Sequence, residues 1–174
     1  MSNRFVISDT HFHHERMLSF IDKSGNVVRP FSSMEEVDDL MISNWNKTVT
    51  KRDTIWHLGD VFAGPEEQAI KTLQRLNGNK KLILGNHDHL TPEFMACFSE
   101  ISLWKKFGKE DMIFSHMPLH DSVIDECSPT AINVHGHIHS NKSPTARHFN
   151  VSVENINYMP ISFEEIKHWR IKNG

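Results

Sequence analysis

Short apolar runs punctuate this chain, and most of them are cut off by glycine or by a residue that carries chemistry. Residues 4 to 8, RFVIS, form the first run and read as a buried strand. Residues 10 to 32 are irregular, with a turn signal at Ser24-Gly25-Asn26 and a break at Pro30. Ser32 or Ser33 can then cap a helix that has Glu35 and Glu36 in its first turn, where the helix dipole favours anions. Within it Val37, Leu40, Met41, Asn44 and Trp45 recur at helical spacing. TIWHL (54 to 58) reads as strand, and a helix follows from Pro65 to Leu76, ended by Asn77-Gly78. KKLILG (80 to 85) is another buried strand, a helix follows Thr91-Pro92, and strand-like pieces occupy 100 to 106 and 111 to 115. A Ser/Pro/Asp-containing loop (120 to 130) leads to AINVHG (131 to 136), again strand-like. HFNVSV (148 to 153) reads as an antiparallel strand, and SFEEIKHWR (162 to 170) as a terminal helix with a Ser162/Glu165 capping box.

Strands therefore alternate with helices early and cluster late. That order predicts an α/β fold turning into a meander, with two mixed sheets packed face to face and helices outside. No repeat, linker or low-complexity segment interrupts it, and 174 residues suit one domain, 1–174. A composition of 38% hydrophobic and 24% charged residues is that of an ordinary globular protein. The formal charge of -3 argues against strong non-specific DNA binding but leaves room for a local site for a small phosphate ester. No run approaches the ~18 apolar residues of a membrane helix, and no secretory signal is visible. Cys97 and Cys127 lie outside any CxxC pattern and read as free thiols, so the expected location is cytoplasmic, with no membrane partner.

The chemistry sits where the apolar runs stop. FVIS is followed by Asp9-Thr10-His11, IWHL by Gly59-Asp60, and LIL by Gly85-Asn86-His87-Asp88. MIFS is followed by His116, and INV by His135-Gly136-His137-Ile138-His139. Ligands bind at the carboxyl ends of strands in open α/β sheets, and five strands deliver carboxylate, amide and imidazole groups there. The chain holds 13 His, far above ordinary usage, without any tag-like run. Asp, Asn and His without Cys suit a borderline-to-hard divalent ion such as Mn, Fe, Zn, Ni or Co rather than a structural zinc site. Asp9 and His11, two apart on an extended chain, can point to one side, and His137 and His139 repeat that spacing. Seven such ligands exceed what one ion accepts, so two ions about 3.5–4 Å apart, bridged by a carboxylate, are expected.

The ordered set DTH, GD, GNHD, SH and GHIH resembles the calcineurin-like metallophosphoesterase superfamily, over residues 9 to 139. The resemblance implies an αββα sandwich in which Asp9, His11, Asp60 and His139 hold one metal. Asp60, Asn86, His116 and His137 would hold the second, with Asp60 bridging and a hydroxide between the ions as nucleophile. It also implies that His87 is catalytic, facing the phosphate rather than binding metal. One departure stands out. Protein phosphatases of the superfamily carry a further Asp three residues after GD, then Arg; here that position is Ala63. What orients His87 is then open, and Asp88 is the nearest candidate.

The run DTHFHHERM resembles a DTHFGH signature of small bacterial and phage members, which makes His14 a candidate for a substrate or outer position, while His13 reads as exposed. Arg29 can clamp phosphate from a segment folded over the metals, or lie at the surface. His57 and His135 read as structural and His148 as peripheral; His89 and His120 are weaker site candidates; the tryptophans read as core. The expected activity is hydrolysis of a small phosphodiester, nucleotide-like, by two divalent ions with Mn²⁺ favoured. A phosphomonoesterase and a catalytically silent scaffold are the alternatives.

Overall fold

The structure, a computed structural model, describes residues 2–173. The first sheet is built from β1 (Arg4–Ile7), β2 (Thr54–His57), β3 (Asn79–Ile83) and β4 (Glu100–Ser102), all parallel in the order β4-β3-β2-β1. The second holds β5 (Trp104–Phe107), β6 (Met112–Ser115), β7 (Ile132–His135) and β8 (His148–Asn150), adjacent in chain order, with only β5 antiparallel. A short β9 (Ile161–Ser162) closes the free edge of the first sheet, antiparallel to β1. Both sheets are therefore mixed. The apolar side chains of β1 and β2 are buried on both faces, which is why these strands read as continuous apolar runs rather than as alternation.

The sheets meet through aromatic edges. Trp56 of β2 lies 5.5 Å from Phe107 and 6.4 Å from Phe114 of the second sheet, ring centre to ring centre. Phe163 sits 5.1 Å from each of those phenylalanines. Helix α1 (Met34–Thr48) starts where Ser33 accepts the Glu36 N–H at 3.2 Å, and it lays Trp45 over His57 behind the first sheet. The Trp45 indole N–H donates to Asn77 O, which ties α1 to the end of α2 (Glu66–Arg75). Helix α3 (Pro92–Met95) is one turn, capped by Thr91. The last helix, α5 (Phe163–Asn173), opens with the expected reciprocal pair: Ser162 N–H donates to Glu165 and Glu165 N–H to Ser162. Among the described residues no helix is long and apolar enough to cross a membrane.

Three expectations need correction. Residues 120 to 130 are not simply loop, because α4 (Asp121–Cys127) forms there; His120 accepts the Ser122 N–H, and Ile124 packs on Ile113 and Ala131 outside the second sheet. The piece at 100 to 106 is two strands, broken at Leu103, where the chain crosses from one sheet to the other. And β8 runs parallel to β7, so the late strands are not a meander. No hairpin turn joins β7 to β8. The chain returns through residues 136 to 147, and Ser8 then bridges Ser152, so the two sheets are sewn together at one edge.

Candidate metal centre

That edge is where the chemistry collects. Because β1, β2 and β3 are parallel, as are β6, β7 and β8, the residues after each strand emerge at the same end of its sheet. The loops after β1 and β2 stay zipped beyond their strands: Asp9 N–H donates to Gly59 O, His11 N–H to Asp60 O and Phe12 N–H to Val61 O, at 2.9–3.1 Å. The loops after β2 and β3 touch backbone to backbone. A Cβ on Gly59 would lie 2.5 Å from Gly85 Cα and 2.8 Å from the His116 ring, so glycine is required there for space.

The structure brings all seven proposed ligands together. Among the described residues, Asp9, His11 and His139 form one group whose donor atoms lie within 4.8 Å of one another, and Asp60, His116 and His137 form a second. Asp60 Oδ2 lies between them, 3.6 Å from His11 Nε2 and 3.3 Å from His116 Nε2. Asn86 Oδ1 is 2.9 Å from His116 Nε2. The pairs Asp9/His11 and His137/His139 converge, though not by extension. Their φ angles are +57°, +46°, +70° and +49°, so left-handed turns rather than strand geometry aim them inward.

Three of the four imidazoles have a partner at Nδ1. His116 Nδ1 donates to Leu58 O at 2.7 Å, and His139 Nδ1 lies 3.3 Å from both oxygens of Glu154. His11 Nδ1 faces His14 Nδ1 at 3.3 Å, which leaves His11 Nε2 buried with no hydrogen-bond partner. Asp9 accepts the His137 N–H and the Ser152 hydroxyl. Burial raises the Asp9 pKa. Burial opposes the Asp60 carboxylate too, but His116, the His87 N–H and His11 outweigh it and hold its pKa well down. His116 is likewise disfavoured by burial, yet Asp60 and Asp9 lift it to about 9.

The remaining candidates divide. His87 is exposed at the mouth; its N–H donates to Asp60 Oδ1 at 2.9 Å, and its ring is 5.5 Å from His11. His14 lies beside both, 5.3 Å from the His11 ring and 6.5 Å from His87. Arg29 corrects both earlier readings, because it is neither at the phosphate nor at the surface. It is fully buried, donating from Nε to Glu154 at 2.8 Å, from Nη1 to Thr10 O at 2.7 Å, and from Nη2 to Asp9 O. Asp88 is committed to backbone N–H groups. Its oxygens accept the N–H groups of Asp60, Val61 and Gly85 at 2.8–3.0 Å, pinning the GD loop to the GNHD loop.

His13 is half-buried, between Asp38 at 3.0 Å and Thr72 at 2.9 Å. His120 caps α4, and His148, expected at the periphery, is buried with Nε2 on Leu119 O. Trp104, expected in the core, is 57% exposed. Sequence reasoning missed Glu154 and Ser152. Both follow β8; Glu154 stands directly after the apolar run HFNVSV, so the rule that found the other five would have found it, whereas Ser152 lies inside that run.

The sequence model described as calcineurin-like phosphoesterase matches residues 4–172. The chain belongs to the calcineurin-like phosphoesterase family. It is 32% identical to the uncharacterized protein MJ1445 of Methanocaldococcus jannaschii, over 95% of this chain and 90% of that one. The Gene 66 protein of Mycobacterium phage L5 is 29% identical over 80% of this chain and 79% of its own. A solved structure of AQ665 from Aquifex aeolicus, a protein of unknown function, shares the fold with a TM-score of 0.75, at 24% identity, covering 97% of this chain and 99% of that one.

This family uses divalent metals, and the residues present here suit them. His11 Nε2 is an orphaned buried nitrogen aimed at a carboxylate, and His116 Nε2 faces two oxygen acceptors while Nδ1 is already committed. Each of these nitrogens would be satisfied by a cation in the space it faces.

Proposed function

We propose that this member of the family is a binuclear-metal-dependent phosphodiesterase acting on a small, nucleotide-like phosphate ester. The observation that carries the reading is Asp60 Oδ2, a single carboxylate oxygen within 3.6 Å of a histidine of each ligand group. On this reading Asp9, His11, Asp60 and His139 hold one ion, and Asp60, Asn86, His116 and His137 the other. Two divalent ions, Mn²⁺ by preference with Fe, Zn, Ni or Co also accepted by this donor set, would supply an acidified water and charge neutralisation at the phosphate oxygens.

The chain's own residues do the rest. Asp88, Arg29 and Glu154 fix the loops and rings before substrate arrives. His87, anchored through its N–H to Asp60, leaves its imidazole free to hydrogen-bond a phosphate oxygen and hand a proton to the leaving alkoxide. His14 stands beside it on the substrate side of His11. A diester is favoured over a monoester because Ala63 replaces the protein-phosphatase Asp and Arg29 is turned inward. Arg29, committed to Glu154, does not meet the second negative charge of a monoester.

The test is hydrolysis of bis-p-nitrophenyl phosphate and p-nitrophenyl phosphate by metal-free protein reconstituted with each ion. Faster turnover of the diester with Mn²⁺ is expected. Turnover of the monoester alone overturns the diester assignment, and silence with every ion leaves a metal-binding scaffold in place of an enzyme.

A further inference from the structure

A cavity of about 440 Å³ opens directly beside the second ligand group, and Asn86 and His116 form part of its wall. Its volume is that of a small-molecule site. The rest of the lining is apolar and unusually bare. Leu103 is 72% exposed, Trp104 57%, Met117 48% and Val123 47%, and all four border this cavity. They come from three places: the crossover between the sheets, the loop after His116, and α4. Large side chains clustered bare around a site of reaction mark a surface that something apolar covers.

Most of the wall is apolar, and two of its polar groups are already committed. Ser115 donates its hydroxyl to Met117 O at 2.7 Å and receives the Asn133 amide, while His116 Nδ1 is taken by Leu58 O. No Lys, Arg, Asp or Glu lines the cavity. A charged or polyhydroxylated group would lose its hydration there and gain nothing in return. A flat ring would bury its faces and could stack on Trp104.

We propose that this cavity seats the organic group of the ester and selects an uncharged, flat, apolar group, either an aryl ring or a nucleobase. The proposal rests on the phosphoesterase reading above and gives it a substrate class. Recognition is by stacking and shape rather than by base-edge hydrogen bonds, so purine and pyrimidine differ little.

The experiment is direct binding by calorimetry to Mn²⁺-loaded protein, using phosphonates whose P–C bond resists hydrolysis. Naphthylmethylphosphonate is expected to bind about 10- to 100-fold tighter than methylphosphonate, the gain from burying one ring system. Phosphonoacetate, which puts a charge in the cavity, gains nothing. Trp104→Ala and Val123→Asp each cut the naphthyl advantage at least several-fold while metal content and methylphosphonate affinity stay unchanged. Adenosine and ribose bearing the same phosphonate separate the sources: tighter binding of the adenosine compound assigns the cavity to a base, and equal binding of the two assigns it to an aryl group. Equal affinity for naphthyl and methyl compounds, with diester hydrolysis intact, overturns the cavity assignment alone. Binding of neither phosphonate, with no hydrolysis, overturns the phosphoesterase reading and the cavity assignment with it.

Discussion

Glu154 is the residue whose replacement tests most of this reasoning at once. Its carboxylate, 5% exposed, receives Arg29 Nε at 2.8 Å and faces His139 Nδ1 at 3.3 Å with both oxygens. Arg29 in turn holds the carbonyls of Thr10 and Asp9. One acid therefore positions a ring and a backbone segment that both serve the same ligand group. Glu154→Gln keeps the shape but leaves a buried guanidinium without a counter-charge, a change that costs about 3–5 kcal/mol. For a chain of this length each kcal/mol is worth about 2–4 °C, so the metal-free protein should melt about 6–20 °C lower. Loss of the carboxylate behind His139 should also weaken the ion at Asp9, His11 and His139 by about 10- to 100-fold and spare the ion at Asp60, His116 and His137. Thermal melts and Mn²⁺ titration by calorimetry read the two effects separately. Arg29→Met combined with Glu154→Gln removes both charges and should recover part of the stability but none of the affinity. Two wild-type equivalents bound by Glu154→Gln, with melting within about 2 °C of wild type, would refute the assignment.

Other residues make sharper, smaller claims. His87→Ala should keep its metal and lose most turnover, by a factor of about 10²–10⁴, whereas Asp60→Ala should lose bound metal; equal metal content and activity in Asp60→Ala would sink the bridging role. Asp88→Ala orphans three N–H groups and should destabilise the protein by about 2–4 kcal/mol while loosening metal binding; a variant altered in turnover alone, with metal affinity intact, would instead make Asp88 a substrate or catalytic group. His57 is fully buried, and burial lowers its pKa to about 3. Between there and the ordinary value near 6.5 the unfolded chain binds a proton that the folded chain does not, so stability is full above pH 6.5 and drains as pH falls toward 3. The loss from His57 between pH 6.5 and 5 is about 1.5–2 kcal/mol, and His57→Asn should flatten urea-melt stability over that interval in the presence of chelator; an unchanged slope contradicts the burial argument.

Much of the candidate site was legible because polar side chains that could bind metal stand out against apolar runs. Asp, Asn and His placed directly after apolar runs break the hydrophobic pattern at one repeated position, and parallel strands bring those positions to one edge. The sheets were legible for the same reason, since FVI, TIWHL and INV are too short and too apolar to be anything but strands buried on both faces. What escaped notice lacked either length or a motif. Helix α4 spans Asp121–Cys127, too few residues for a 3.6-residue period to show. The direction of β8 depends on how residues 136 to 147 return, which no local pattern encodes. Arg29 and Glu154 lie far apart in sequence, and neither sits in a motif; only the fold reveals that each is the other's reason to be buried. Trp104 looked like core by residue type, but the break at Leu103 leaves it beside the cavity.

The left-handed backbone at the ligands explains how so short a chain places so many donors. Asp9, His11, Asp60, His137 and His139 all have φ between +46° and +70°, at about 1 kcal/mol or more of strain each. A strand would keep residues two apart on one face but spaced along the chain, whereas these turns fold the chain back so that they converge. The strain is offset by bonds within the polypeptide: Asp88 accepts three N–H groups, Arg29 grips two carbonyls, and glycines at 59 and 85 let the loops close to backbone contact. The loops that carry these residues are consequently fixed by bonds within the polypeptide. Burial opposes charge on His116 and His139, but Asp60 and Asp9 raise the first and Glu154 the second. On the proposed binuclear reading an imidazole binds an ion only when deprotonated, so metal affinity should fall as pH falls, and an Mn²⁺ titration at several pH values reads it.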